Sequence, residues 1–221
     1  MDDGRARTKA AAAHAAAARI GPNAITQVAD ALRRSHGAER GAQLFAQAGL
    51  THHWIDPPTQ MVDDAEVCAL HRVLRAELGV TSARQVGRAA GAGTGDYLLA
   101  HRIPRLAQRV LRRLPAPLAA RALLAAIRRH AWTFTGAGSF DAQPAVGAIR
   151  WRLTLRDAPL ARGAQHDAPL CDFYAATFER LFCVLVHPRA RVVETACEAQ
   201  GVAACVFELA WPAAVGADRA G

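Results

Sequence analysis

The chain has 221 residues, of which 52% are hydrophobic and 6% aromatic, and it carries a net charge of +8. This length suits one domain with an attached element or two small domains, and no run of about 18 apolar residues predicts a transmembrane helix. The arginines are scattered in stretches such as RVLRR and RWRLTLR instead of forming one block, so nucleic-acid binding is not expected.

The N-terminal stretch predicts a cytoplasmic protein. It reads MDDGRARTKAAAAHAAAARIG, opens with two Asp residues and lacks the pattern of a secretory signal. We expect residues 1–18 to form a disordered Ala-rich arm.

Residues 19–135 are predicted to be a helical region. Pro22 lies near a helix N-terminus, and Gly37 is placed at the end of that helix. A second helix has Asp63 and Asp64 as N-cap candidates and Gly79 at its end. Two amphipathic helices follow, in IPRLAQRVLRRLP and APLAARALLAAIRRHAW.

The stretch GAGTG at residues 91–95 has the look of a nucleotide-binding loop. The dinucleotide fingerprint is G-x-G-x-x-G directly after a strand, whereas here the spacing is G-x-G-x-G and the preceding sequence is helical. We interpret this stretch as a break between two helices.

The C-terminal part, residues 136–212, is predicted to be an α+β region followed by a tail at residues 213–221. Strand-like segments are AWTFTG, AIRWRLTLR, RVVETACEA and ACVFELAW, and the segment APLCDFYAATFERLFCVLV has helical spacing. Residues 136–146 and 157–169 are predicted to be loops. The fold class is therefore α+β, with a helical N-terminal half packed with an antiparallel sheet half.

Four residues near the C-terminus form a candidate metal site. Cys197 and Cys205 flank a Gln-Gly turn, and Glu194 lies three residues before Cys197. Cys171 opens a helix, where the helix dipole is expected to lower the pKa of its thiol. Three thiolates and one carboxylate suit Zn²⁺, and a set that fills all four positions indicates a structural ion.

The residues alone leave an alternative open. In an ideal strand Glu194 and Cys197 point to opposite faces, so both can bind one ion only if the strand bulges or ends between them. The cysteines contain no C-x-x-C pair and could instead be small buried hydrophobic residues. Their odd number disfavours a disulfide framework. Glu198 is expected to lie in solvent.

The stretches CDFYAATFERLF and VVETACEAQGVAACVFEL resemble the 4-vinyl reductase domain family. Its members share a Cys that opens a helix, an E-x-x-C and the pattern C-x-x-x-G-x-x-x-C-x-F. The resemblance covers roughly residues 145–212 and implies a structural zinc site at the matching residues. These are Cys171, Glu194, Cys197 and Cys205.

Further stretches extend the resemblance from Arg19 onward. RIGPNAITQ, GAGTGDYLLAHRIP and HAWTFTGAGSF are similar to the BchJ family of bacteriochlorophyll-biosynthesis proteins, long named 4-vinyl reductases. This resemblance implies a fold like that of the 4-vinyl reductase domain and TRAPP-subunit group, often a homodimer. It also implies a chlorophyll-pathway tetrapyrrole as ligand.

A magnesium tetrapyrrole is large, flat and apolar, with carboxylates at one edge. Its pocket needs apolar walls, an axial ligand for Mg²⁺ and an Arg near the carboxylates. The candidate ligand-binding residues are Tyr97, His101, Arg102, His130, Trp132 and Trp151. The candidate axial ligands are His52, His53, His101 and His130. We take His101 as the first choice, although each candidate residue also has a plain solvent-facing or core role. THHWIDPPTQMVDD, residues 51–64, is interpreted as a turn and not as a lid.

The chain shows no Walker A motif and no Fe–S spacing, whereas a reductase needs a source of hydride or electrons. We therefore favour a bacteriochlorophyll-biosynthesis accessory protein that binds a vinyl-bearing magnesium tetrapyrrole and contains structural zinc. The alternative is a divinyl (proto)chlorophyllide 8-vinyl (4-vinyl) reductase, and no catalytic residue is assigned. A ligand-sensing regulatory module is disfavoured, because no helix-turn-helix or ATPase segment is evident. The expected partners are the tetrapyrrole and other pathway enzymes, in the cytoplasm or at the surface of the photosynthetic membrane.

Overall fold

The computed structural model describes residues 18–212. The predicted tail and all of the predicted arm except Ala18 lie outside the described residues. The fold is α+β, as the sequence predicts, with helices first and most of the sheet afterwards. Its elements are β1 (Arg19–Ile20), α1 (Asn23–Gln47), α2 (Thr51–Ile55), β2 (Val62–Asp63), α3 (Asp64–His101), α4 (Arg105–Arg113), α5 (Ala116–Arg129), α6 (Trp132–Thr135), β3 (Ser139–Pro144), β4 (Ile149–Arg156), α7 (Asp172–Leu185), β5 (Arg191–Ala196), a 3₁₀ turn (Glu198–Gln200) and β6 (Cys205–Ala210).

The main sheet is antiparallel, with the strand order β3-β4-β6-β5. Residues of β6 alternate between buried and half-buried, because one face of this strand lies on the core. Phe207 on that face contacts Phe178 of α7, with ring centroids 5.9 Å apart. The helix α7 therefore covers the sheet.

The other side of α7 packs closely against α3. Gly91 lies at this contact, and a side chain there would overlap the carbonyl group of Phe173. The hydroxyl of Thr177 donates a hydrogen bond of 3.0 Å to the Gly91 carbonyl oxygen. The prediction of a helix break at residues 91–95 is therefore wrong: the helix continues, and its glycines allow two helix backbones to approach.

Other predicted boundaries also differ from the structure. Gly37 and Gly79 do leave the helical conformation, with φ of 82° and 74°, but a helix resumes directly after each of them. The segment AWTFTG, predicted as a strand, contains the short helix α6, and the predicted loop 136–146 contains β3. That strand forms because it pairs in register with β4 and buries Ala142, a tertiary contact that its loop-like composition hides.

Among residues 18–212, the helices are all too short or too polar to span a membrane.

Candidate functional site

The fold brings Cys171, Glu194, Cys197 and Cys205 together, as the candidate metal site requires. Cys171 caps the N-terminus of α7, Glu194 lies in β5, Cys197 follows the end of β5, and Cys205 begins β6. One ligand atom from each residue lies within 4.8 Å of those of the others. All three thiols are fully buried.

An irregularity in β5 removes the geometric objection to this set. The register between β5 and β6 shifts between Glu194 and Ala196, which pair with the consecutive residues Phe207 and Val206. A bulge of this kind places one extra residue in a strand and changes which face the next side chains occupy. Glu194 and Cys197 can therefore reach the same point.

The sulfur atoms are spaced as four-coordinate zinc would require. The Sγ atom of Cys205 lies 3.6 Å from the Sγ atoms of both Cys171 and Cys197. Zinc binds thiolate sulfur at about 2.3 Å in a tetrahedron, which sets neighbouring sulfur atoms about 3.8 Å apart. An ion at the centre would thus need little movement of the ligands.

Glu194 provides an independent indication of a cation. Its Oε2 atom accepts a 2.7 Å hydrogen bond from the Cys171 amide, whereas Oε1 is buried without a hydrogen-bond partner in the described part of the chain. Burial, together with the neighbouring Cys197, raises the pKa of Glu194 to about 9. A divalent cation would give Oε1 a partner and stabilise the ionised carboxylate.

The three thiols form hydrogen bonds with one another. Hydrogen bonds with Cys197 and Cys205, followed by burial, raise the pKa of Cys171 well above its ordinary value. Hydrogen bonds from Cys171 and Cys205 lower the pKa of Cys197. The prediction that the helix N-terminus lowers the pKa of Cys171 is therefore wrong, because the hydrogen bonds with the neighbouring thiols and burial raise it.

Glu198 does not lie free in solvent, contrary to expectation. Its carboxylate accepts hydrogen bonds from the amides of Asp157 and Ala158, at 2.6 and 2.9 Å. These contacts fasten the loop after β4 to the turn between Cys197 and Cys205. Glu198 thus helps to fix the turn between two of the candidate metal ligands.

A partly buried ion pair, not foreseen from the sequence, joins the helical half to the loop between β4 and α7. Both terminal nitrogens of Arg162 donate 3.0 Å hydrogen bonds to the carboxylate of Asp64, which is only 4% exposed. The N-cap of α3 is Asp63, whose side chain accepts a hydrogen bond from the Ala65 amide. Asp64 and Arg162 are 98 residues apart, so no local pattern predicts their contact.

The predicted ligand-binding residues lie in three places. Tyr97 and His101 pack together near the end of α3, with tilted rings whose centroids are 4.7 Å apart, and the neighbouring Arg102 is exposed. His130 directly follows α5 and Trp132 begins α6, and both are exposed. Trp151 is half-buried in β4 and packs against the core.

A cavity of about 600 Å³ lies elsewhere, beside α2 and the start of α3. Its walls include Arg19, His52, His53 and Glu66, and none of the six predicted ligand-binding residues. The Nε2 atom of His53 lies 2.9 Å from a carboxylate oxygen of Glu66, and the ring of His52 packs on that of His53. The segment interpreted as a plain turn therefore forms the wall of a cavity.

Known proteins match the chain over most of its length. Residues 151–210 match the model of the 4-vinyl reductase domain family. The chain is 44% identical over 195 residues to the bacteriochlorophyll synthase 23 kDa chain of Cereibacter sphaeroides, covering 88% of this chain and 92% of that protein. It is 38% identical over 192 residues to the protein of the same name from Rhodobacter capsulatus, covering 86% of each.

The chain belongs to the bacteriochlorophyll synthase 23 kDa chain family. This confirms the resemblance to the BchJ family and to the 4-vinyl reductase domain. The names of these relatives also support an accessory role in bacteriochlorophyll biosynthesis.

Solved structures share the fold at low sequence identity. One comes from work on heme distortion in the H-NOX family, with a TM-score of 0.55 and 13% identity, covering 89% of this chain and 97% of that one. Another comes from work on heme redox potential and porphyrin distortion, with a TM-score of 0.53 and 14% identity, covering 86% and 94%. At such identities the similarity concerns the fold alone.

Proposed function

We propose that this protein binds a vinyl-bearing magnesium tetrapyrrole of bacteriochlorophyll biosynthesis and holds it for other enzymes of the pathway. The observation that carries the proposal is that the chain belongs to a bacteriochlorophyll synthase family. Its fold also occurs in proteins studied with heme, which is another tetrapyrrole. The chain would work next to enzymes that handle an apolar pigment, at the surface of the membrane.

Zinc has a structural role in this proposal. An ion held by Cys171, Glu194, Cys197 and Cys205 would join the start of α7 to β5 and β6. All four positions are filled by protein, so no open position is left for a substrate or a catalytic water. The free energy of metal binding would stabilise the fold of this half of the molecule.

Two places in the structure can supply the imidazole that binds the magnesium of the pigment. One is His101, where Tyr97 offers an aromatic face and Arg102 a guanidinium group for a carboxylate. His130, Trp132 and Trp151 complete the set proposed from the sequence.

The second place is the cavity lined by Arg19, His52 and His53. Its volume of about 600 Å³ falls within the usual range of ligand pockets. The imidazole of His52 is exposed there, with 60% of its side chain accessible. Arg19 lies on the same wall and provides a positive charge for a carboxylate.

The alternative function, a divinyl (proto)chlorophyllide 8-vinyl (4-vinyl) reductase, rests on the name given to the domain family. Such an enzyme would need a reductant site. The glycine-rich stretch that resembles a nucleotide loop lies inside α3, where Gly91 packs against α7. This packing makes the carrier function the better supported of the two.

The test is an absorption titration of the zinc-loaded protein with a divinyl chlorophyllide. We expect a saturable shift of the pigment absorption bands with the wild-type protein. The shift should be lost in His101→Ala if His101 binds the magnesium, and in the double variant His52→Ala with His53→Ala if the cavity binds it. His36→Ala is the matched control, since this helical histidine bonds to Ser35 and Ser82 away from both places. A pigment spectrum that the wild-type protein leaves unchanged would refute pigment binding.

A further inference from the structure

The positive charge of the chain is concentrated in one segment. Residues 97–140 contain eight arginines and no Asp or Glu, and the remaining 19 basic and 19 acidic residues cancel. The whole net charge of +8 therefore belongs to α4, α5 and their flanks. The basic residues are scattered along the chain, but this segment lacks acidic residues, so the net charge is local.

Most of these arginines project into solvent. Arg102, Arg105, Arg109, Arg112, Arg113, Arg121 and Arg129 are all exposed. Within residues 18–212 none of these seven forms an ion pair, whereas Arg128 pairs with Asp141 at 2.7 Å. Their charge is therefore available to an anionic partner.

The same helices expose an apolar stripe. Leu106 and Val110 are 68% and 51% exposed, and their spacing of four residues puts them on one side of α4. Leu114 directly follows the last residue of α4 and is 36% exposed. Leu118, at the start of α5, is 49% exposed. Single exposed aliphatic residues are ordinary, but here four of them fall within thirteen residues and are interspersed with exposed arginines.

The orientation of α4 is fixed by its opposite side. The side-chain amide of Gln108 is buried and donates to the carbonyl oxygens of Leu99 and Ile103, at 2.6 and 2.8 Å. At about 100° per residue, Gln108 lies about 160° from Val110 around the helix axis. The anchored side thus faces the protein, and the apolar stripe faces away from it.

We propose that α4 and the start of α5 form a docking surface for an anionic lipid bilayer. A short helix with aliphatic residues on one side and arginines next to them lies in the interface of such a bilayer, where the side chains enter the acyl boundary and the guanidinium groups contact phosphates. A nucleic acid would satisfy the arginines but would leave the aliphatic row against polar surface, so lipid is the better match.

The test uses the full-length zinc-loaded protein without pigment, sedimented with vesicles. The wild type binds vesicles that contain phosphatidylglycerol, binds vesicles of phosphatidylcholine alone far more weakly, and is released by high salt. Arg105→Ala with Arg109→Ala lowers the partition coefficient by about fivefold for each arginine. Leu106→Ser with Val110→Ser keeps the charge and lowers it by about tenfold or more.

The matched control combines Val146→Ser with Arg189→Ala, which removes an exposed aliphatic residue and an exposed arginine outside the surface. It binds vesicles as the wild type does, and all variants keep the wild-type melting temperature because the substituted side chains are exposed. Wild-type protein that stays in the supernatant with phosphatidylglycerol vesicles overturns the proposal. So does an unchanged partition of the Leu106 and Val110 variant, or tighter binding to an oligonucleotide than to vesicles at the same salt concentration. Because pigment is absent, the result is independent of tetrapyrrole binding.

Discussion

Replacing a single sulfur atom tests the metal centre. Cys205→Ser removes the thiol whose sulfur lies 3.6 Å from both other sulfur atoms, so it leaves only two sulfur ligands and one carboxylate for the ion. We expect wild-type protein to contain one zinc ion per chain and the variant to contain less than about a tenth of that.

The magnitude follows from linkage between binding and folding. An ion present at about a thousand times its dissociation constant stabilises the folded state by about 4 kcal/mol. For a domain of this size that corresponds to a fall in melting temperature of about 8–16 °C when the ion is lost. Chelation of the wild-type protein should reproduce the fall, while chelation of the variant should have little further effect.

The assay is elemental analysis of purified protein alongside thermal unfolding. Cys183→Ser is the matched control, because this half-buried thiol lies outside the metal set and donates to the Ala190 carbonyl oxygen, a bond that a serine hydroxyl can replace. Equal zinc content in the Cys205 and Cys183 variants, or only a trace of zinc in the wild type, would refute the reasoning.

Three more predictions concern the frame around the site. Burial lowers the pKa of His71 to about 3, so this histidine takes up a proton more readily in the unfolded state than in the folded state. The free energy of unfolding should therefore fall by about 2 kcal/mol between pH 8 and pH 5. In urea-unfolding curves, His71→Leu should remove that loss. Gly91→Ala should destabilise the protein by about 1–3 kcal/mol through collision with α7, whereas Gly93→Ala, which meets only a flexible glutamine, should be neutral or stabilising. Asp64→Asn should lower the free energy of unfolding by about 2 kcal/mol in the same assay. The loss is limited because Arg162 is partly exposed and still pairs with the carboxylate of Asp157.

Each of these three has a result that would contradict it. A His71→Leu variant with the wild-type pH dependence would show that another group dominates the acid loss. Equal effects of the two glycine substitutions would mean that the contact between α3 and α7 can relax. An Asp64→Asn variant as stable as the wild type would show that solvent replaces the ion pair.

The sequence predicts the fold class, and it names the four residues that the structure brings together, because both rest on local patterns and on the family resemblance. Hydrophobic periodicity separates the helical half from the sheet half, and the spacing of Cys197 and Cys205 around a turn brings their sulfur atoms together. The bulge after Glu194 has no such signal, since it appears only when β5 is placed beside β6. The sequence therefore raises the geometric question and the structure resolves it.

Long-range contacts account for the errors. Gly91 looks like a helix breaker in the sequence, but it allows α7 to pack closely against α3. The residues of α7 that it contacts lie some 80 residues later in the chain. The sequence suggests that Glu198 is solvated, because its hydrogen bond with the backbone amide of Asp157 joins two segments that are far apart in the chain. The cavity at His52 and His53 also depends on a long-range contact, because Arg19 of the N-terminal strand β1 forms part of its wall. A turn signal in the sequence around His52 cannot show this.

The most direct test of the carrier function is a product analysis after pigment binding. The zinc-loaded protein is saturated with divinyl chlorophyllide, NADPH is added, and the pigment is extracted and separated by chromatography. We predict that the bound pigment keeps its vinyl group and that the protein returns it unchanged. Conversion to the ethyl product by this protein alone would contradict the carrier function and establish the reductase.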